Sequence, residues 1–127
     1  RTPFYDNDAL TELSRIKGND YVYQLKIKAL HTRIYFELDD LEKVLVIIDS
    51  LKHYVSSNLL IPQTFKRRYT NYNNILYKLT RLKLNPDEFK ASKLIDEIKS
   101  STMDDLTTNK TWLLEMAMEL KGKLQKN

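Results

Sequence analysis

From Tyr23 to Val55 apolar residues return every third or fourth position, and only "ELDDLE" (Glu37 to Glu42) interrupts the rhythm. That spacing is the mark of an amphipathic helix, and no alternating strand pattern competes with it. Even the β-branched run "VLVII" (Val44 to Ile48) keeps the helical period through its flanks. Three prolines and two glycines in 127 residues are too few for an all-β chain full of tight turns. The chain is therefore expected to be all-α, a single domain over 1–127 that is long enough to bury a core.

The adjacent aspartates set the topology. Asp39 followed by Glu42 reads as a capping box, with Asp39 accepting an N–H of a new first turn and Glu42 reaching back. Carboxylates suit the positive N-terminal end of a helix and disfavour the C-terminal end of the one before. The pair thus ends one helix and starts another, and a link so short requires antiparallel packing.

The same reasoning divides the rest of the chain. Asp6, Asn7 and Asp8 open a short first helix over about 6–17, with Leu10, Leu13 and Ile16 as its stripe and Gly18 at its end. The second helix starts at Asp20. Its leading stripe is Tyr23, Ile27, Leu30, Ile34 and Leu38, and a second stripe, Leu25, Ala29, Thr32 and Phe36, lies beside it. The third carries Leu41, Val44, Leu45, Ile48, Leu51 and Val55 and stops at Asn58. Pro62 falls in the first turn of a fourth, whose core stripe is Phe65, Tyr69, Tyr72, Leu76 and Leu79. "NPDE" (Asn85 to Glu88) starts a fifth with Asn85 as cap, burying Phe89, Leu94, Ile95 and Ile98. After the polar "SSTMDDLTTN", a sixth from about Thr108 to Lys121 buries Trp112, Leu113, Met116 and Leu120. The expectation is about six helices in antiparallel pairs.

The junction "YFELDDLEKVLVIIDSLKHYV" (Tyr35 to Val55) resembles that of a tetratricopeptide repeat. Tyr35, Asp40, Leu41, Val44, Ile48 and Leu51 match its aromatic, turn and packing positions. Asp39 stands where the pattern has glycine, and Val44 where it has alanine. "KALHTRIYFEL" (Lys28 to Leu38) and "WLLEM" (Trp112 to Met116) make the whole similar to C-terminal segments of uncharacterised bacterial tetratricopeptide-like proteins. The resemblance implies a right-handed helical repeat over 1–58, with divergent hairpins over 59–127, at the C-terminal part of a longer chain. It implies a protein–protein interaction scaffold with no enzymatic activity. By position in the repeat, Lys26, Ala29, Arg33, Phe36 and Glu37 would line the groove that holds a protein or peptide partner. A chain that starts inside such an array is expected to self-associate through its N-terminal helices, where Phe4, Tyr5 and Leu10 lie.

Signatures of chemistry are sparse. Zero cysteines exclude disulfides and thiolate catalysis, and leave the compartment open, with the cytoplasm as the expectation. His31 and His53 are not at metal-ligand spacing, and two isolated glycines make no phosphate loop, so neither metal nor cofactor is expected. The neighbouring carboxylates Asp39/Asp40 and Asp104/Asp105 are explained by capping or loops, because adjacent residues do not face each other on a helix. No apolar run reaches the length of about 18 residues that a membrane span requires.

One other surface stands out. In "FKRRYTNYNNILYKLTR", Lys66, Arg67, Asn74, Tyr77, Lys78 and Arg81 fall opposite the aromatic stripe. Cations interleaved with amides and a tyrosine could hold phosphates and stack a base, so a nucleic-acid-binding or regulatory module is the alternative to the scaffold. A net charge of +4, with 17 acids among 21 bases, fits a solvated face better than a dedicated polyanion binder, and nucleic acid is the less expected partner. Arg68 falls inside the apolar arc and is expected to snorkel or pair.

Overall fold

A computed structural model describes residues 20–102 and 109–126. They form five helices: α1 (Asp20–Glu37), α2 (Leu41–Ser57), α3 (Gln63–Leu84), α4 (Glu88–Ser100) and α5 (Lys110–Lys126). Among the described residues there is no strand, and the chain is all-α as its periodicity requires. The helix expected over 6–17 lies outside the described residues, as do Asp104 and Asp105.

Cross-helix contacts give the directions. Lys43 Nζ lies 5.0 Å from the Tyr35 ring, while Lys28 Nζ reaches Ser50 Oγ at 3.3 Å and the Tyr54 ring at 5.6 Å. Positions fall along α1 as they rise along α2, so the two are antiparallel. Between α1 and α3 the numbers rise together: Tyr21 meets Phe65 edge-on at 5.6 Å, Thr32 meets Tyr72, and Lys83 Nζ sits 4.6 Å from the Phe36 ring. These two helices therefore run parallel. Helix α3, 22 residues long, also packs against α2, α4 and α5, while α4 and α5 pack on each other.

The turn between α1 and α2 divides its two aspartates differently from the capping box. Asp39 has φ 64°, its N–H donates to Phe36 O at 3.0 Å, and the Asp40 N–H donates to Tyr35 O at 2.9 Å. This pair of bonds is a Schellman motif with Asp39 in the left-handed position where glycine is favoured. Asp40, not Asp39, caps α2, its Oδ1 accepting from the Lys43 N–H at 3.4 Å. Glu42 then lies in the first turn, where it suits the helix dipole without closing a box. The next start signal divides in the same way. Asn85 ends α3, donating to Arg81 O at 2.9 Å, and Asp87 caps α4 by accepting from the Lys90 N–H at 2.9 Å. Pro62 stands at the cap position of α3, one residue before its first turn.

Burial corrects two of the expected stripes. On α1 the buried residues are Leu25, Ala29, Thr32 and Phe36, whereas Tyr23, Leu30, Ile34 and Leu38 are exposed. Apolar residues lie on both sides of this helix, and the stripe with the smaller side chains faces inward, where Ala29 and Thr32 leave room for Tyr72 of α3. On α4, Ala91 takes the buried place beside Leu94, Ile95 and Ile98, and Phe89 is 70% exposed with Lys93 Nζ 5.4 Å from its ring. On α5, Trp112, Leu113 and Ala117 are buried, with Met116 and Leu120 partly so. Helices α2 and α3 bury their expected residues, except that Leu41, Leu45 and Phe65 are only partly covered.

The deepest polar contact joins α1 to α3. Tyr72, fully buried, has its hydroxyl 2.7 Å from Thr32 Oγ1, and Thr32 donates to Ala29 O at 2.5 Å. Burial pushes the Tyr72 phenol from its ordinary 10.0 up to about 12, against the lowering effects of the Thr32 hydrogen bond and the Arg33 charge.

Two predictions follow from the turn and this hydroxyl pair. Asp39→Gly should raise stability by about 0.5–1 kcal/mol, because glycine takes positive φ without steric cost. Asp40→Ala should lower it by about 1 kcal/mol, through loss of the cap. Urea unfolding of both variants checks the division of labour, which is wrong if both move in the same direction. For Tyr72, the folded state holds its proton more tightly than the unfolded chain, so its contribution is complete below the unfolded pKa. It is lost as pH rises through the folded value, a decline of about 2–3 kcal/mol. Tyr72→Phe should cost about 1 kcal/mol at neutral pH and flatten that alkaline decline. Urea melts of both proteins from neutral pH to about pH 11, where about half of that decline is due, give the comparison.

Candidate functional site

A groove of about 860 Å³ lies between α2 and α3. Its floor includes Leu45, Ile48 and Val55 of α2 with Tyr69 of α3, residues that the helical period turns toward the contact between these two helices. Lys52 stands on the α2 side, and Lys66, Arg67 and Arg81 on the α3 side. Asp49 is the lone carboxylate on the lining, and its Oδ2 lies 3.5 Å from His53 Nε2. Among the described residues, no ion pair engages Lys52, Lys66, Arg67 or Arg81. A second cleft of about 690 Å³, between α3 and α4, shares Tyr77 and Arg81 with the first and adds Lys78, Lys90 and Lys93. The two depressions thus meet along the outer face of α3.

Five of the six residues read as a basic face, Lys66, Arg67, Asn74, Tyr77 and Arg81, come together in the α2–α3 groove. Tyr77 is 47% exposed. The sixth, Lys78, turns to the neighbouring cleft and binds Glu97, 3.0 Å from Oε1 and 3.1 Å from Oε2. Arg68 stays half-buried, its guanidinium 5.9 Å from the Phe65 ring, as its place inside the apolar arc requires.

The residues carried over from the repeat pattern are dispersed. Lys26 is exposed, while Ala29 and Phe36 are in the core. Phe36 meets Trp112 of α5 edge-on at 5.6 Å, Glu37 Oε2 accepts from Trp112 Nε1 at 2.8 Å, and the Arg33 guanidinium lies 5.5 Å from the indole ring. Arg33 Nε also reaches Glu37 Oε2 at 3.4 Å. Arg33, Phe36 and Glu37 thus form a clamp on Trp112 that fixes the end of α1 to the start of α5.

Sequence reasoning did not select Lys52 or Asn73. Lys52 joins the site only because α2 packs beside α3, which no local pattern encodes. Asn73 did carry a signal: it lies four residues after Tyr69 and three before Leu76, inside the core arc. Its Nδ2 donates to Ile48 O at 2.8 Å, while its Oδ1 is buried without a partner. A buried acceptor left unsatisfied costs about 1–3 kcal/mol. Among the described residues no group of three His, Cys, Asp or Glu side chains converges in metal-binding geometry. Both histidines are exposed, and Asp39 and Asp40 serve the turn. No helix among the described residues is long and apolar enough to cross a membrane.

No protein-family model, curated protein or solved structure matches the chain.

Asn73→Leu replaces the orphan oxygen with a bulkier apolar side chain of the same heavy-atom number beside the open groove, and Ile48 O lies within a helix that already supplies a backbone donor. The substitution should therefore raise stability by about 1 kcal/mol in thermal or urea unfolding. A loss of similar size would mean that the Asn73–Ile48 bond outweighs the unsatisfied oxygen.

Proposed function

We propose that the chain is a non-enzymatic interaction module, built from helical hairpins of tetratricopeptide type, that holds its partner in the α2–α3 groove. The observation that carries this reading is the groove itself: partly covered Leu45 and half-exposed Tyr77 among cations that form no ion pair among the described residues. Charges left unpaired around apolar surface cost little in water and become favourable when a complementary surface closes over them. The parallel course of α1 and α3, with α2 antiparallel between them in sequence, supports the hairpin-repeat part of the proposal. The Trp112 clamp already engages Arg33, Phe36 and Glu37, so the proposal places the partner on the α2–α3 face and not along α1.

A second reading, nucleic-acid binding through the same groove, draws on the convergence of Lys66, Arg67, Asn74, Tyr77 and Arg81. The apolar floor weighs against it. So does the aromatic inventory, because Tyr69 is buried and Tyr77 is the one exposed ring on the groove lining. Sequence-tolerant binding of single strands uses successive aromatic platforms.

Selection from a random peptide display library against the whole chain tests the scaffold. Selected peptides should lose binding to a Tyr77→Ala/Arg67→Glu variant by about tenfold or more, and retain it with Lys26→Glu on the α1 face. Peptides that respond to Lys26 and ignore the groove variant would move the partner surface to α1. A library that yields no ligand, beside oligonucleotide binding lost in the groove variant, would replace the scaffold with the second reading.

A further inference from the structure

We propose that the groove's partner is an acidic amphipathic helix of another protein. The inference rests on the groove being a partner surface, and adds the partner's chemistry. Four observations define it.

The first is charge. Lys52, Lys66, Arg67 and Arg81 face Asp49 alone along the lining, so the groove has a strong excess of one sign although acids and bases are nearly balanced over the chain. Cations without internal partners complement carboxylates on the occupant.

The second is the floor. Ile48 and Val55 are already buried beneath it, but Leu45 is only partly covered and Tyr77 is half-exposed; phosphate backbones gain nothing from such apolar surface, whereas a helix with one apolar face covers it. The partner must therefore carry both carboxylates and apolar anchors.

The third is shape. The groove runs between two helices, and no strand edge among the described residues could add an extended peptide. A third helix laid into the groove between a helix pair follows the same ridge-and-groove packing that holds the pair together.

The fourth is spacing. Arg67 and Arg81 are separated by 14 residues on one helix, about four turns or ~21 Å. A matching ligand needs carboxylates near both ends of a helix of about that length, with apolar residues at i, i+3/i+4 and i+7 between them. Tyr77, half-exposed one turn before Arg81, offers an apolar ring with a hydroxyl at that end, where the α3–α4 cleft adds Lys90 and Lys93 beside Asp87 and Glu97.

The test uses the whole chain and a synthetic, fluorescein-labelled peptide of about 18 residues, helical and amphipathic, with Leu on one face and Glu flanking it. Three probes accompany it: the same composition scrambled so that Leu no longer lines one face, the same peptide with Lys for Glu, and a single-stranded oligonucleotide. Fluorescence anisotropy should show saturable binding of the acidic amphipathic peptide, binding at least about tenfold weaker for the scrambled peptide, and none for the Lys peptide. Arg67→Glu and Arg81→Glu, both at exposed positions with the fold checked by circular dichroism, should each weaken binding about tenfold. A Glu→Lys exchange in the peptide should restore affinity for the Arg→Glu variants, which general damage to the fold would not allow. Equal binding of the scrambled peptide would overturn the helical partner, and equal binding of the Lys peptide would overturn the acidic one. Oligonucleotide binding that is tighter and lost in the same variants would assign the groove to nucleic acid. If the acidic peptide fails while library-selected peptides of other chemistry depend on Tyr77 and Arg67, the partner chemistry is wrong and the scaffold stands.

Discussion

The packing of α2 against both α1 and α3 is the contact on which the groove depends, and the hydroxyl pair Tyr72–Thr32 ties α1 to α3 beside it. That hydroxyl pair sits where α1 and α3 run parallel, and it is possible because Ala29 and Thr32 are small enough to admit a tyrosine from the neighbouring helix. Thr32 returns its own proton to a carbonyl one turn back, so neither hydroxyl is stranded in the core. Joined to α1 by the link at 38–40, α2 packs on both α1 and α3, and α2 and α3 create the groove between them.

Helix α3 is consequently covered by α1, α2, α4 and α5 on much of its circumference, with Tyr69, Tyr72, Asn73, Ile75, Leu76, Leu79, Thr80 and Leu82 all buried. Three of these eight carry a hydroxyl or amide that must be satisfied in the interior, in addition to Tyr69. Tyr72 is served by Thr32, Thr80 bonds back to Leu76 O at 2.8 Å, and Asn73 is served on one side only. The exception lies at the edge of the groove. The strip of α3 left uncovered is where its cations gather, because helical geometry places Arg67, Asn74, Tyr77 and Arg81 opposite the tyrosine–leucine stripe.

Electrostatics on this protein divide into used and unused charge. Lys83 binds Asp39 Oδ1 at 3.2 Å and lies over Phe36, Lys43 pairs with Asp40 at 3.8 Å, and Lys78 holds Glu97. Each such pair is partly exposed, and contributes more to fixing local geometry than to stability. Among the described residues the groove cations Lys52, Lys66, Arg67 and Arg81 form no such pair.

The sequence by itself determined the all-α class, the places where helices stop and start, and most of the core of α2 and α3, because period and turn chemistry are local properties. It also determined that Lys66, Arg67, Asn74, Tyr77 and Arg81 share a face. Tertiary structure decided what local pattern could not. On α1 two apolar stripes compete, and only the approach of α3 selects Leu25, Ala29, Thr32 and Phe36 over Tyr23, Leu30, Ile34 and Leu38. Within "DD" and "NPD" the first residue ends a helix and a later aspartate caps the next, a division set by backbone bonds to Tyr35, Phe36 and Arg81 rather than by residue type. Arg33, Phe36 and Glu37 became a clamp only when Trp112, some 75 residues away, folded against them. Lys52 joined the basic face for the same reason: a groove belongs to a pair of helices, and one helix's sequence cannot specify what stands across it.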